Sequence, residues 1–123
     1  MNKKMSGEKI RREYPPVPLV SVGVLILDRK HGKVLLIKRG SEPGRGKFSI
    51  PGGLVELGER LVEAARREVK EEVSIDCEIL GIVDVEEIII RDDNGRVRWH
   101  YVLTVSYTHL RAHETEADLV CRL

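Results

Sequence analysis

Residues 53–75 read Gly-Leu-Val-Glu-Leu-Gly-Glu-Arg-Leu-Val-Glu-Ala-Ala-Arg-Arg-Glu-Val-Lys-Glu-Glu-Val-Ser-Ile, and their periodicity decides what kind of domain this is. Val62, Ala65, Val69 and Val73 recur at helical spacing, which predicts a helix over residues 59–73 with one apolar stripe. Glu59 directly follows Gly58 and is expected in the first turn, where the helix dipole favours a carboxylate. Glu68, Glu71 and Glu72 stand at i, i+3 and i+4 and share one face, with Ala64 a turn earlier expected to leave room for a ligand. Like charges at that spacing repel by about 0.2–0.5 kcal/mol per pair, so packing alone does not favour the arrangement. A hard divalent cation reverses the sign, because Mg²⁺ and Mn²⁺ take carboxylate oxygens and keep waters that phosphate can replace. Read by itself, Glu-x-x-Glu-Glu is also what the solvated face of a Glu-rich helix looks like.

On the N-terminal side, residues 40–58 hold six of the 11 glycines together with Pro43 and Pro51. A loop this long in a compact domain tends to carry function. Val20–Leu27 and Lys33–Arg39 are rich in β-branched residues and flank Asp28-Arg29-Lys30-His31-Gly32, which predicts a hairpin. Tyr14-Pro15-Pro16-Val17-Pro18 is expected to be extended, and residues 1–13 to be a frayed, flexible tail that is polar and basic. On the C-terminal side, Cys77–Asp84 and Val85–Arg91 read as strands. Asp92-Asp93-Asn94-Gly95 then predicts a tight turn into Arg96–Thr104, where Val97, Trp99, Tyr101 and Leu103 alternate. Strands on both sides of one helix give a single α/β (α+β) sandwich with a mixed sheet.

Gly53, Glu59, Arg67, Glu68, Glu71 and Glu72, with aliphatic Val69 and Ile75, fit Gly-x5-Glu-x7-Arg-Glu-U-x-Glu-Glu-x-Gly-U, U being a bulky aliphatic. Six fixed matches arise by chance on the order of 10⁻⁷ per starting position. The stretch resembles the Nudix box of the Nudix hydrolases, and Pro51-Gly52 and Gly44-x-Gly-Lys-Phe-Ser-Ile resemble the approach to it. The one departure is Ser74 in place of glycine. If that position needs a positive φ, serine costs about 1 kcal/mol. The resemblance implies a loop–helix–loop motif that binds Mg²⁺ or Mn²⁺ and hydrolyses a nucleoside diphosphate linked to another moiety. It implies Glu68, Glu71 and Glu72 as metal ligands, joined by the Gly52 carbonyl, and Glu59, Arg67, Glu68, Glu71 and Glu72 as the catalytic set. Arg67 would orient carboxylates, Glu59 first, through a forked ion pair. The substrate side is a small-molecule nucleotide, ADP-ribose-like or a non-standard nucleoside triphosphate, and dimers are common in the family, so a homodimer is compatible with it. A member that has become a nucleotide-sensing or regulatory module without turnover is the alternative. Such modules typically lose box carboxylates, and here all four are present.

Arg39, Arg45 and Lys47, with Lys38, lie on the strand end and loop leading to the box and are candidate phosphate contacts, although solvated charges need no role. Glu56 inside the loop is open between the two readings. Trp99 and Tyr101 could stack on a base, but alternation favours packing. Cys77 reads as a small buried hydrophobe. His31 in its turn has no visible partner, and His100 stands on the polar side of a strand.

The chain has 123 residues, with 21 Lys+Arg against 20 Asp+Glu, a formal charge of +1. That balance speaks against bulk nucleic-acid or membrane-surface binding. No apolar run is long enough to span a bilayer and no signal peptide is visible, so a cytoplasmic location is expected. Two cysteines make neither a disulfide framework nor a zinc site. Residues 105–123 lose the family pattern and resemble a translated transposase-type sequencing adapter. Residues 105–115 follow one reading frame of its fixed part, and Leu119-Val120-Cys121-Arg122-Leu123 follow the fixed part beyond its index. The expected organisation is therefore a basic tail over 1–13, a hydrolase domain over 14–104 lacking its C-terminal strand and helix, and a non-native tail over 105–123. His109, His113 and Cys121 receive no role.

Overall fold

The computed structural model describes residues 10–111. Among them, seven strands and one helix follow in order: β1 (Leu19–Asp28), β2 (Lys33–Val34), β3 (Ile37–Lys38), β4 (Phe48–Ser49), β5 (Gly52–Leu54), α1 (Leu61–Val73), β6 (Gly81–Arg91) and β7 (Val97–His109). The main sheet runs β2-β1-β7-β6, with β5 also paired to β1, and β3 and β4 form a separate ribbon. β1 and β7 are parallel over nine residue pairs from Leu19↔Tyr101 to Leu27↔His109. The other pairings among the described residues are antiparallel, so the sheet is mixed, as expected.

β1 divides its side chains between two faces by simple alternation. Val22, Val24 and Ile26 point to the core, where they meet Ala64, Ala65, Val69 and Val73 of α1 and then Leu35, Ile75 and Cys77. Ser21 and Gly23 point to the other face. The helix stripe differs by one residue from the sequence expectation: Leu61, Ala65, Val69 and Val73 face the core, while Val62 is 45% exposed. Ala64 is fully buried in that core, so it makes no room for a ligand. Its small side chain instead lets α1 approach the sheet closely.

The helix also begins later than the pattern suggests. Arg60 is its N-cap, and the Arg60 N–H donates to Glu63 at 2.9 Å. Glu59 thus precedes the helix, and its carboxylate is held by the Arg67 guanidinium and the Glu56 N–H rather than by the helix dipole. At the other end Ser74 adopts φ 59° and ψ 30°, the left-handed cap, with its N–H donating to the Lys70 carbonyl at 3.0 Å. A Cβ at such a cap is unfavourable. Ser74→Gly is expected to stabilise the protein by about 0.5–1 kcal/mol, a rise of about 4 °C in thermal denaturation.

Three strand expectations change in detail. Residues 33–39 break at Leu36 into β2 and β3. Residues 77–80 lie outside the sheet and 81–91 form one strand rather than the end of one and the whole of another, with Cys77 buried as expected and Ile79 packed on the core. The turn at 92–95 forms as expected, Asp92 accepting hydrogen bonds from the N–H groups of Asn94 and Arg96, both at 2.9 Å. β7 runs past residue 104 through His109, and residues 112–123 lie outside the described part. His31, expected without a partner, lies 2.8 Å from Asp28 through Nδ1. Tyr14 is not simply extended, since its φ is 53°. That conformation costs about 1–2 kcal/mol for a bulky residue, offset by its contacts to the β6–β7 turn.

Candidate active site

α1 lies on the core face of the sheet, and two of its carboxylates reach the glycines of β5. Glu68 and Glu72 pass the margin of β5, where Gly52 and Gly53 present no side chains. The Glu68 carboxylate sits directly against Gly53, and a Cβ on that residue would lie 2.7 Å from Glu68 Oε1. Gly52 N–H donates to Glu72 Oε1 at 2.9 Å. In the β1–β5 ladder, Val24 N–H donates to Pro51 and Val55 N–H to Val20, so the intervening bonded pair is Val22 and Gly53. Both backbone polar groups of Gly52 therefore point away from β1, toward the helix carboxylates. This is the direction the expected Gly52 ligand role requires.

The two glycines carry different burdens. A Cβ on Gly52 would run into the Val22 carbonyl and approach Gly23 Cα to 3.0 Å, both of them backbone. Gly52→Ala must therefore open the ladder and is expected to destabilise by more than about 2 kcal/mol. A Cβ on Gly53 meets only the end of a flexible side chain. Gly53→Ala should retain its fold within about 1 kcal/mol while expelling Glu68 from its seat and lowering activity at least tenfold, read by denaturation and turnover on one sample.

Arg67 is the hub of the box. Its Nε and Nη2 donate to the two Glu59 oxygens at 2.7 and 2.9 Å, the forked pair expected from the resemblance. Its Nη1 donates to Glu68 at 2.7 Å and to Glu71 at 3.3 Å, and Nη2 also donates to the Leu54 carbonyl at 3.0 Å. Glu56 Oε2 stands 3.9 Å away, and the Glu56 N–H donates to Glu59 at 2.9 Å. The hydrogen bonds that Arg67 donates to Glu59, and then the one it donates to Glu68, hold the guanidinium protonated against the opposing effect of burial.

Burial raises the Glu68 carboxyl above its ordinary range, against the pull of Arg67. Burial likewise raises Glu72, against the Gly52 N–H, with the Glu68 charge adding to the rise. Two neighbouring carboxylates that resist ionisation are a donor set that a divalent cation would relieve. The three helix glutamates do not converge here, and among the described residues no group of three or more acidic, histidine or cysteine side chains is poised around one point. Glu68 and Glu71 share the Arg67 guanidinium while Glu72 takes the Gly52 N–H, which is how like charges on one face find separate partners.

Behind these carboxylates opens a cavity of about 560 Å³ between the sheet and the β3–β4 ribbon. Gly52, Gly53, Glu68 and Glu72 line one end, and Lys38 and Arg39 line its wall. Arg39 is fixed by its Nε donating to the Pro43 carbonyl at 2.6 Å. Arg45 and Lys47 belong to the adjoining exposed turn and are not among the residues lining the cavity. Trp99 is buried, in keeping with packing, but Tyr101 lines the cavity and so does Arg12. Tyr101 shares its face with Ser21 and Gly23, whose small side chains leave the hollow. That adjacency is visible only once β1 and β7 are known to pair. Arg12 carries no sequence signal, because nothing in a basic tail shows where it folds back.

The model of the NUDIX domain family matches residues 17–120. An ADP-ribose pyrophosphatase of Methanocaldococcus jannaschii is 41% identical over 80 residues, 65% of this chain and 46% of that protein. The 8-oxo-dGDP phosphatase NUDT18 of Homo sapiens is 37% identical over 79 residues, 59% of this chain and 24% of that protein. This chain thus spans less than half the length of both. The crystal structure of a MutT NUDIX hydrolase from Burkholderia pseudomallei superposes with a TM-score of 0.68 at 32% identity, covering 85% of this chain and 75% of that one.

Proposed function

The chain belongs to the NUDIX domain family, and on that premise we propose that it is a diphosphatase that uses Mg²⁺ or Mn²⁺ to hydrolyse a nucleoside diphosphate linked to another moiety. The observation that carries the proposal is the Arg67 hub, which gathers Glu59, Glu68 and Glu71 beside the glycine margin where Glu72 meets Gly52. Glu68, Glu71, Glu72 and the Gly52 carbonyl would hold the metal. When bound, it supplies neutralisation of the diphosphate charge and a lower pKa for an attacking water. Arg67 holds the Glu59 and Glu68 carboxylates in place, Gly53 gives Glu68 its seat, and Lys38 and Arg39 offer cations to the phosphates along the cavity wall. Arg45 and Lys47, from their turn, would meet only a substrate that extends beyond the cavity mouth.

The names of the relatives support an ADP-ribose-like or oxidised nucleotide substrate. A reading as a nucleotide sensor without turnover finds no support in the box, where every carboxylate is present. A cytoplasmic location is part of the proposal, supported by composition, and among the described residues no helix is long and apolar enough to cross a membrane. The homodimer rests on the family resemblance and is checked by light scattering. The adapter reading of residues 105–123 is also proposed. Ser106 and Thr108 occupy core-facing positions beside Val24 and Ile26, where an interior parallel strand ordinarily carries aliphatic residues. Codons across 106–115 that differ from the adapter would overturn it.

The test of function is a panel of nucleoside diphosphate derivatives, ADP-ribose and 8-oxo-dGDP among them, assayed with Mg²⁺ for wild type, Glu68→Gln and Glu72→Gln. Turnover that both substitutions leave intact would remove the helix from the mechanism. Nucleotide binding with no turnover would favour the sensor.

A further inference from the structure

Residues 11–14 are clamped onto the β6–β7 turn. Tyr14 N–H donates to the Arg98 carbonyl at 2.7 Å, and its hydroxyl donates to Asp92 at 2.8 Å. The Arg96 guanidinium lies 4.4 Å from the centre of the Tyr14 ring. Arg98 Nε donates to Glu13 at 2.6 Å, and Arg11 Nε to the Tyr14 carbonyl at 3.0 Å. These contacts hold Tyr14 in a left-handed turn that its side chain disfavours, φ 53°. The consequence of that turn is the position of Arg12, which comes to line the cavity together with Tyr101. No ion pair occupies the Arg12 guanidinium among the described residues. It lies close enough to Tyr101 to act, with Arg39, against the burial that raises that phenol.

Tyr101 is far from the carboxylate end. Its register partner on β1 is Leu19, whereas Gly52 pairs Gly23. Four residues along a strand and two strands across amount to about 13 Å and about 10 Å. An extended diphosphate, ribose and base fill such a diagonal. An aromatic ring beside a guanidinium with no ion-pair partner is suited to a flat π-system, since both stack on nucleobases.

We propose that Arg12 and Tyr101 form the base-binding end of the cavity, gripping the two faces of a nucleobase whose phosphates lie toward Glu68 and Glu72. The phosphate placement rests on the diphosphatase reading, whereas the base site does not depend on turnover. The test is calorimetric titration of the full chain in Mg²⁺ with AMP and with ribose 5-phosphate, neither of which contains a diphosphate to cleave. Arg12→Ala and Tyr101→Leu are each expected to weaken AMP about tenfold and to leave ribose 5-phosphate unchanged. Arg12→Lys, which keeps the charge and loses the plane, is expected to resemble Arg12→Ala. An unchanged AMP affinity in Arg12→Ala overturns the proposal. So does an equal loss for both ligands, which would make Arg12 a phosphate contact, and so does a wild type that does not bind AMP. AMP binding with the expected variant effects but no hydrolysis of any diphosphate would overturn the diphosphatase and leave the base site standing.

Discussion

Arg67→Ala is expected to lower stability by about 3 kcal/mol at neutral pH in the absence of metal, a fall of about 15 °C in thermal denaturation. The side chains of Glu59 and Glu68 are only 14% and 12% exposed, and both take their short hydrogen bonds from this guanidinium. Truncation takes this guanidinium from two largely buried carboxylates, and it strips the Leu54 carbonyl of a donor. A buried charge that loses its partner is far more harmful than the pair was helpful. The exposed pair Arg66–Asp76, with side chains 55% and 71% exposed, supplies the contrast: Arg66→Ala should change stability by no more than about 0.5 kcal/mol. The Arg67→Ala deficit should shrink as pH falls toward the raised Glu68 range, because a protonated Glu68 no longer needs a cation. Arg67→Lys should recover only part of it, since an ammonium cannot serve both Glu59 oxygens and Glu68 together. An Arg67→Ala protein within about 0.5 kcal/mol of wild type would show that the hub holds nothing together.

Much of this site is legible in the amino-acid sequence, because the information is local. The box compresses helix phase, glycine placement and carboxylate spacing into residues 53–75, and the fork from Arg67 to Glu59 spans eight positions. The left-handed conformation of Ser74 is legible for the same reason, since a helix end sets its own cap. What escapes depends on pairing between distant segments. Ala64 reads as space for a ligand when helix phase is judged from Val62, and only the approach of β5 reveals which neighbouring stripe is buried. Glu59 reads as a partner of the helix dipole, yet it stands outside the helix, before the N-cap, and takes its hydrogen bonds from Arg67 and the Glu56 N–H. Tyr101 reads as packing because alternation tells that it faces one side of a strand, not what stands opposite. Register supplies that: Leu19, Ser21 and Gly23 are its neighbours along β1, and two of the three are too small to fill the space. Arg12 is the extreme case, a residue in an unpatterned basic segment that a strained tyrosine turns toward the cavity.

Glu72→Gln is expected to separate function from stability in opposite directions. Burial raises the Glu72 carboxyl above its ordinary range, so the folded protein holds the proton more tightly than the unfolded chain does. Its contribution to stability is then greatest below the ordinary glutamate range and is lost as pH rises through the raised value. At neutral pH and without metal the ionised side chain is only a modest liability, because Glu72 keeps much of its contact with solvent. Glutamine is neutral, has nearly the same shape, and still offers an oxygen to the Gly52 N–H. Metal-free Glu72→Gln should therefore melt at or slightly above the wild-type temperature at pH 7–8, with the advantage fading toward acid. Magnesium should reverse the ranking. Saturation of the wild type at about a hundred times its dissociation constant adds about 2.7 kcal/mol, whereas the variant is expected to gain little on the proposal that Glu72 holds the metal. Turnover should fall by about 10³, the loss of several kcal/mol of charge stabilisation. A carboxylate retained for folding would show the opposite pattern: lower metal-free stability, an unaltered response to Mg²⁺, and activity that falls only as far as the folded fraction does. The two outcomes cannot be confused, because a group kept for chemistry is the one whose removal makes the resting protein more stable and the working one inert.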